Sequence, residues 1–294
     1  MRILLTGKNG QLGWELGRAL SPLGEVNASD REELDLAAPD LIVSAVRSAR
    51  PDVIVNTAAY TAVDRAESEP DAAFAINARA VGVLAEEARR AGALFVHYST
   101  DYVFDGTKES PYVEDDAPNP LNVYGRSKLA GEQAVRSAGG PHIILRTSWV
   151  YAARGKNFLL TMRQLLREKG TARVVSDQIG APTSAGALAD ATAEILRRHD
   201  ASALAKVPGV YHATAGGSTS WHGFATEIAR LEQVSPLSVV PITSREYPSP
   251  APRPKNSRLS NEKLLRTFGV RLPPWQACLE ACYAQLRSSS QGPD

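Results

Sequence analysis

The chain reads as an α/β protein: a doubly wound parallel Rossmann sheet carrying a smaller C-terminal substrate domain. Three observations predict this. Short β-branched runs alternate with helical patterns through the first half. Those runs are apolar without interruption, as suits a sheet covered on both faces. A glycine-rich turn, with Gly7, Gly10 and Gly13, joins the first run to the first helical pattern.

Taken in order, residues 3–6 form a buried strand, and Leu12, Leu16, Ala19 and Leu20 follow at helical spacing. Asp30 ends the next strand. Leu41, Ile42, Ala45, Val46 and Ala49 make a helix before a strand at 53–56. Residues 72–91 read as one alanine-rich helix, and 94–98 and 143–145 as further strands. After Trp149 the rhythm loosens. Helices are expected over 158–169 and 185–198, short strands at 173–175 and 210–212, and proline gathers between 236 and 254. This gives a dinucleotide-binding domain over 1–150 and a mainly substrate-binding domain over 151–294, with part of 170–200 free to return to the Rossmann sheet. The polar tail, 288–294, reads as disordered.

Composition bounds the function. With 294 residues and 43% hydrophobic content the chain can build a sizeable core. A formal net charge of +1 gives no bulk electrostatic case for a nucleic acid polymer or an anionic membrane. No run approaches the length needed to span a bilayer. The two cysteines, Cys278 and Cys282, lie on one helical pattern, which suits neither a disulfide nor zinc. Two thiols and no secretory signal fit the reducing cytoplasm.

The glycine turn, Gly7-Lys8-Asn9-Gly10-Gln11-Leu12-Gly13, follows a strand and opens a helix, as a dinucleotide site requires. Gly7 would take the tight turn and Gly10 would admit the pyrophosphate. Gly13 would let the helix pack closely, with Gln11 and Leu12 beside the cofactor. The spacing is G-x-x-G-x-x-G rather than G-x-G-x-x-G. Asp30 lies about 20 residues on, where an acid binds the adenosine ribose. Arg31 would attract a 2′-phosphate that Asp30 would repel, so NADPH and NADH both remain open. Asp35 and Leu36 would flank the adenine. Ala58, Ala59, Tyr60 and Thr61 follow the strand at 53–56 and would let the cofactor lie against the backbone.

Tyr124 and Lys128 form a Tyr-x-x-x-Lys pair on one helical face. A phenol titrates near pH 10, and a neighbouring ammonium is expected to lower that value toward neutrality. Lys128 would also hold the nicotinamide ribose. Thr100, at the end of the strand before, would hydrogen-bond a substrate carbonyl. A plain capping role fits Ser99 better than Thr100. Together these residues suggest hydride transfer coupled to proton transfer.

At this point the chain closely resembles the dTDP-4-dehydrorhamnose reductase family of extended short-chain dehydrogenases/reductases. The resemblance rests on the glycine turn, NTAAYTAVD at 56–64, HYSTDYVF at 97–104 and LNVYGRSKLAG at 121–131. It continues with RTSWVY at 146–151, DQIGAPT at 177–183 and RPKNSRL at 253–259. It implies NADPH or NADH as cofactor and a nucleotide sugar as substrate. The C4 ketone of dTDP-4-dehydro-6-deoxy-L-mannose (dTDP-4-dehydro-β-L-rhamnose) would be reduced to dTDP-L-rhamnose, the last step toward a precursor of surface polysaccharide. Tyr124 would be the acid, Thr100 would orient the carbonyl, and Asp101 would lie near the sugar. Trp149 would pack on the sugar ring. Arg253, helped by Asn157, would neutralise the nucleotide pyrophosphate.

Other readings stay open: a reductase or epimerase of another nucleotide keto sugar, or a non-catalytic regulatory subunit on the same fold. Dehydratases of this kind carry Asp-Glu after the catalytic Thr, whereas Asp101-Tyr102 follows Thr100 here. Some relatives pair as homodimers and bind Mg²⁺ with acids at the interface. Glu15 and Asp190 stand where two such acids would be, but Gln285 stands where a third is expected. Two surface carboxylates and no resident metal is the better reading. His97 lies in a buried-looking strand and reads as a core residue, and Trp221 and Trp275 read as packing anchors.

Overall fold

The computed structural model describes residues 1–290, with side chains to 288. Six strands form one parallel sheet: β1 (Arg2–Thr6), β2 (Glu25–Ser29), β3 (Val53–Asn56), β4 (Leu94–Thr100), β5 (His142–Thr147) and β6 (Gly209–His212). Their order is β6-β5-β4-β3-β1-β2. The order reverses between β1 and β3, where Thr6 pairs with Asn56 in register. In a doubly wound sheet the crevice above such a reversal takes the ligand.

Helices cover both faces. On one side α1 (Gln11–Leu20) packs against α8 (Ala185–Arg198), over Ile3, Leu5, Val55, Val96 and Leu145. On the other lie α2 (Pro39–Ala49), α5 (Ala80–Ala91) and α6 (Val123–Ala138), over Leu4, Ile54, Phe95 and Ile144. Successive strand residues thus feed opposite cores, which is why these strands read as unbroken apolar runs. The remaining helices of this order are α3 (Val63–Ala66), α4 (Pro70–Phe74) and α7 (Phe158–Lys169).

The expected single helix over 72–91 is interrupted. Between α4 and α5 the residues Ala75–Arg79 form a π turn. The turn packs against α6, where a Cβ at Gly131 would stand 2.1 Å from the carbonyl oxygen of Asn77. The wide turn meets a neighbouring helix at backbone distance. Such bulges concentrate at functional sites.

In the second half, α8 packs on the main sheet, within the segment left free to do so. The sheet's edge strand lies further along, at β6, which the sequence reads merely as a short strand of the second half. A separate apolar cluster gathers Leu159 and Met162 of α7 with Phe224, Ile228, Trp275 and Leu279. Residues Ala172–Val175 and Val239–Ile242 pair in parallel beside it. The last helix, Trp275–Ser290, takes in the first residues of the polar tail, and residues 291–294 lie outside the described residues.

One buried ion pair joins the sheet to α6. The Glu132 carboxylate accepts from Ser99 Oγ at 2.5 Å, from Arg146 Nε at 2.8 Å and from Arg146 Nη2 at 2.6 Å. Both charged side chains are fully buried. Breaking such a pair from one side leaves an uncompensated charge in the core. Glu132→Ala is therefore expected to lose about 3–5 kcal/mol in chemical denaturation, and Glu132→Leu/Arg146→Met to recover most of it. Equal losses in both variants would contradict this account.

Candidate active site

The C-terminal ends of β1, β3, β4 and β5 carry the polar residues. Gly7 leaves β1 with φ of +80°, and a Cβ there would meet Thr57 Oγ1 at 2.8 Å and Ala58 N at 2.9 Å. A Cβ at Gly13 would stand 2.0 Å from the Gly7 carbonyl oxygen. These two glycines are demanded by the close packing of the turn. Gly10 caps α1 with no side-chain bond, and no acid occupies the first turn. The leading N–H groups and the positive dipole end are left open to an anion. The cradle therefore fits a dinucleotide pyrophosphate.

Asp30 sits beside this cradle, and its oxygens are already engaged. Oδ2 accepts from Asn9, at 2.8 Å, and Oδ1 from the backbone N–H groups of Glu32 and Glu33. These bonds hold its carboxyl below its usual range. Lys8, in the glycine turn, binds Glu33 at 2.5 Å and lies 3.8 Å from Asp30. The sequence reading missed Lys8 and Glu33. Arg31 is exposed. Asp35 accepts from the N–H of Ala37. Leu36 is buried in the cluster under α2 and α5. Ala58 lies against the glycine turn. The Tyr60 hydroxyl donates to Glu69 at 2.7 Å, and Thr61 is exposed.

Asn77, which sequence reasoning also missed, ties this wall to the next. Its Oδ1 accepts from the Tyr60 N–H at 2.9 Å, and its Nδ2 donates to the Tyr60 carbonyl and to Ser127 Oγ. Ser127 donates in turn to the Tyr124 carbonyl. The only sequence signal was its place inside an otherwise alanine-rich helix.

Tyr124 and Lys128 stand one turn apart on α6, which Asn122 caps by accepting from the Gly125 N–H at 2.8 Å. Lys128 Nζ donates to the Tyr98 carbonyl at 2.6 Å. Burial pulls its ammonium down to about 8, and the Glu132 charge works the other way. Burial, and next the charge of Asp101, raise the Tyr124 phenol, with a hydrogen bond from Thr100 opposing them. This corrects the expected lowering of Tyr124: desolvation dominates, and the Lys128 ammonium is turned to the Tyr98 carbonyl. Tyr102 meets the Tyr124 ring edge-on, with centroids 5.7 Å apart.

Thr100 does cap: its Oγ1 accepts from the Tyr102 N–H and donates to Asp101 Oδ1, both at 3.1 Å. Ser99, expected to cap, binds Glu132 instead. Asp101 is buried and its carboxyl is raised to about 6, chiefly by desolvation. The buried Ser257 hydroxyl, next in size to desolvation, works the other way and lowers it, though Oδ2 makes no hydrogen bond of good geometry.

The outer residues behave differently. Trp149, at φ of +50°, stacks on Trp221 at 3.6 Å, so one face of the indole is covered. A Cβ at Gly180 would come within 2.6 Å of the same ring. Asn157 caps α7 and donates to Gln11 Oε1 at 2.9 Å, fastening the loop before α7 to the glycine turn. Arg253 forms a two-point ion pair with Asp64. His97 is buried with Nδ1 3.1 Å from Asn56 Nδ2, and desolvation holds it well below its ordinary value.

Glu15, Arg18, Asp190 and Gln285 share a cavity of about 650 Å³ on the α1/α8 face, away from these strand ends. Arg18 lies 3.4 Å from both carboxylates. Asp190 is a surface carboxylate as expected, but Glu15 is buried, which corrects its reading as a surface group: α1 turns it inward against α8.

The family model described as the RmlD substrate binding domain matches residues 1–288. The chain is similar to the dTDP-4-dehydrorhamnose reductase of Burkholderia thailandensis, 52% identical with 98% of this chain and all of that protein covered. It is similar to the enzyme of the same name from Escherichia coli K12, 49% identical with 97% and 98% covered. Among solved structures it matches a dTDP-4-dehydrorhamnose reductase from Bacillus anthracis in complex with NADP. That match has a TM-score of 0.90, 36% identity, and coverage of 97% and 99%.

A buried ammonium depressed to about 8 has a testable consequence. Between that value and about 10.4, the unfolded chain binds the Lys128 proton and the folded chain does not, so stability rises with pH there. Lys128→Met removes this contribution. Its stability relative to the parent is expected to fall by about 3 kcal/mol between pH 7 and pH 10, read by urea denaturation. A flat difference curve would place the lysine in water.

Proposed function

Because the chain belongs to the RmlD substrate binding domain family, we infer that it performs the reaction for which its curated relatives are named. It is an NAD(P)H-dependent oxidoreductase that reduces dTDP-4-dehydro-β-L-rhamnose to dTDP-L-rhamnose. The product feeds polysaccharide synthesis. The single observation that carries the reading is about one-half identity to named reductases along almost the whole chain. The grouping of Thr100, Asp101, Tyr124 and Lys128 supports it chemically.

When bound, the reduced nicotinamide supplies the hydride. Gly7, Gly10 and Gly13, with the open end of α1, hold its pyrophosphate. Lys8 and Arg31 offer charge to a 2′-phosphate, and Asp30 favours a plain ribose. The sugar C4 oxygen lies against Thr100 and Tyr124. As it gains charge, Thr100 hydrogen-bonds it and Tyr124 gives it the phenolic proton. Burial favours the neutral phenol, so the acid is loaded in the reducing direction. Lys128 stabilises the phenolate left behind. Asp101, beside Thr100, accepts a sugar hydroxyl. Trp149 borders the sugar, held upright by Trp221. Arg253 faces the sugar-nucleotide pyrophosphate, and Asn157 acts through Gln11 rather than on the substrate.

Elimination of water is the reading disfavoured here. It needs a base beside the sugar, and the position after Asp101 holds Tyr102, a phenol that burial raises.

Tyr124→Phe removes the acid and nothing else of size. Its kcat is expected to fall by about 10²–10⁴-fold, with NADPH affinity unchanged. The check is substrate-dependent loss of NADPH absorbance with the keto sugar nucleotide, and identification of the product by NMR. Near-normal turnover in the variant would assign the proton to another group.

A further inference from the structure

The donors of Arg253 are unevenly used. Nη1 donates to Asp64 Oδ1 at 2.9 Å and to the Ala251 carbonyl at 2.6 Å. Nη2 donates to Asp64 Oδ2 at 2.8 Å. A guanidinium carries five N–H groups in a rigid plane. Three are engaged, and the two that remain, on Nε and Nη2, lie along one edge. That edge is the fork that grips two oxygens of one phosphate.

The position of this edge is fixed from two sides. Asp64, on α3, also accepts from the Ala251 N–H at 3.2 Å. Asn122, the residue that caps α6 ahead of Tyr124, donates to the Pro252 carbonyl at 2.8 Å. The segment 251–253 is thus fastened both to the cofactor-side wall and to the helix that carries the acid. The charge of Arg253 is felt at Tyr102, whose ring abuts Tyr124. Arg253 is about one-quarter exposed, open enough for a ligand to reach it.

We propose that Asp64 is a positioning residue: it turns Arg253 so that the Nε/Nη2 edge receives a phosphate of the sugar nucleotide's pyrophosphate. The inference rests on the reading of Arg253 given above and adds the residue that makes it selective. Asp64 does not touch the substrate. It removes two donors from competition, fixes the plane of the fork, and sets its distance from Tyr124.

The sign of the effect separates this role from simple electrostatics. A carboxylate near a bound anion repels it, so removing the charge alone would tighten binding. If Asp64 positions Arg253, removing it weakens binding. The probe is thymidine diphosphate, which carries the pyrophosphate without the sugar, titrated calorimetrically into the full chain. Asp64→Asn is expected to raise its Kd about tenfold, with a matching rise in KM for the keto sugar nucleotide and a smaller change in kcat. Arg253→Lys, which keeps the charge and loses the fork, is expected to weaken binding similarly, and NADPH affinity is expected to hold in both. Thermal melting of Asp64→Asn controls for folding, since the ion pair is partly exposed. An unchanged or lower Kd in Asp64→Asn, with a raised Kd in Arg253→Ala, overturns the role of Asp64 alone. An unchanged Kd in Arg253→Ala overturns the pyrophosphate reading and the inference with it. Because diphosphate binding is read without turnover, failure of the reductase assignment would show separately, as absence of NADPH oxidation.

Discussion

The Glu132 carboxylate sits where α6, β4 and β5 meet, and it holds all three. Through Arg146 it binds β5, through Ser99 it binds β4 one residue before Thr100, and along its own helix it lies one turn beyond Lys128. Thr100 and Tyr124 approach each other only if the end of β4 and the start of α6 are in register. Apolar packing alone would let a helix slide by tenths of an ångström at little energy. A carboxylate with three short charge-assisted bonds would not. Burying the pair carries a large desolvation penalty, so the reason to keep it lies in geometry more than in net stability.

The same exclusion of water sets the chemistry. Desolvation raises the Tyr124 phenol and lowers the Lys128 ammonium, and it brings Asp101 up to about 6. Each group is moved toward its neutral form. Glu132 partly restores the lysine, because its charge faces Lys128 from the next turn. A proton donor that resists ionising and a lysine that has not lost its charge at neutral pH are thus produced by one buried environment and one fixed anion. A lysine's pull alone would lower the Tyr124 phenol, and burial reverses that direction.

Local constraints were legible in the sequence, and long-range ones were not. The strands announce themselves because both faces are covered, and the glycine turn because Gly7 and Gly13 have no room for a Cβ. The Tyr124/Lys128 pair is a helical spacing. Glu132 continues that spacing by four and was readable on the same grounds. The π turn at Asn77 has no local signal and meets Gly131 on another helix. The stacking of Trp149 on Trp221, the bond from Asn157 to Gln11 and the pair of Asp64 with Arg253 all join segments far apart in the chain. Residue type suggested that Trp149, Asn157 and Arg253 matter. Only the fold tells which partner each already has.

Those partners bear on how a chain of net charge +1 would hold the two pyrophosphates proposed for it. Two of its cations near the cleft are already paired. Lys8 is held by Glu33 and Arg253 by Asp64. Pairing lowers the attraction each offers a distant anion, but it also removes the entropy of placing a long side chain when the ligand arrives. On the proposed reading, affinity would then come from a few aimed donors: the open N–H groups at the start of α1 and the remaining edge of Arg253. Aimed donors with partly neutralised charge give selectivity without very tight binding. A reductase that must release its oxidised cofactor and its product each cycle gains from that balance, because affinity beyond what orientation needs would slow release.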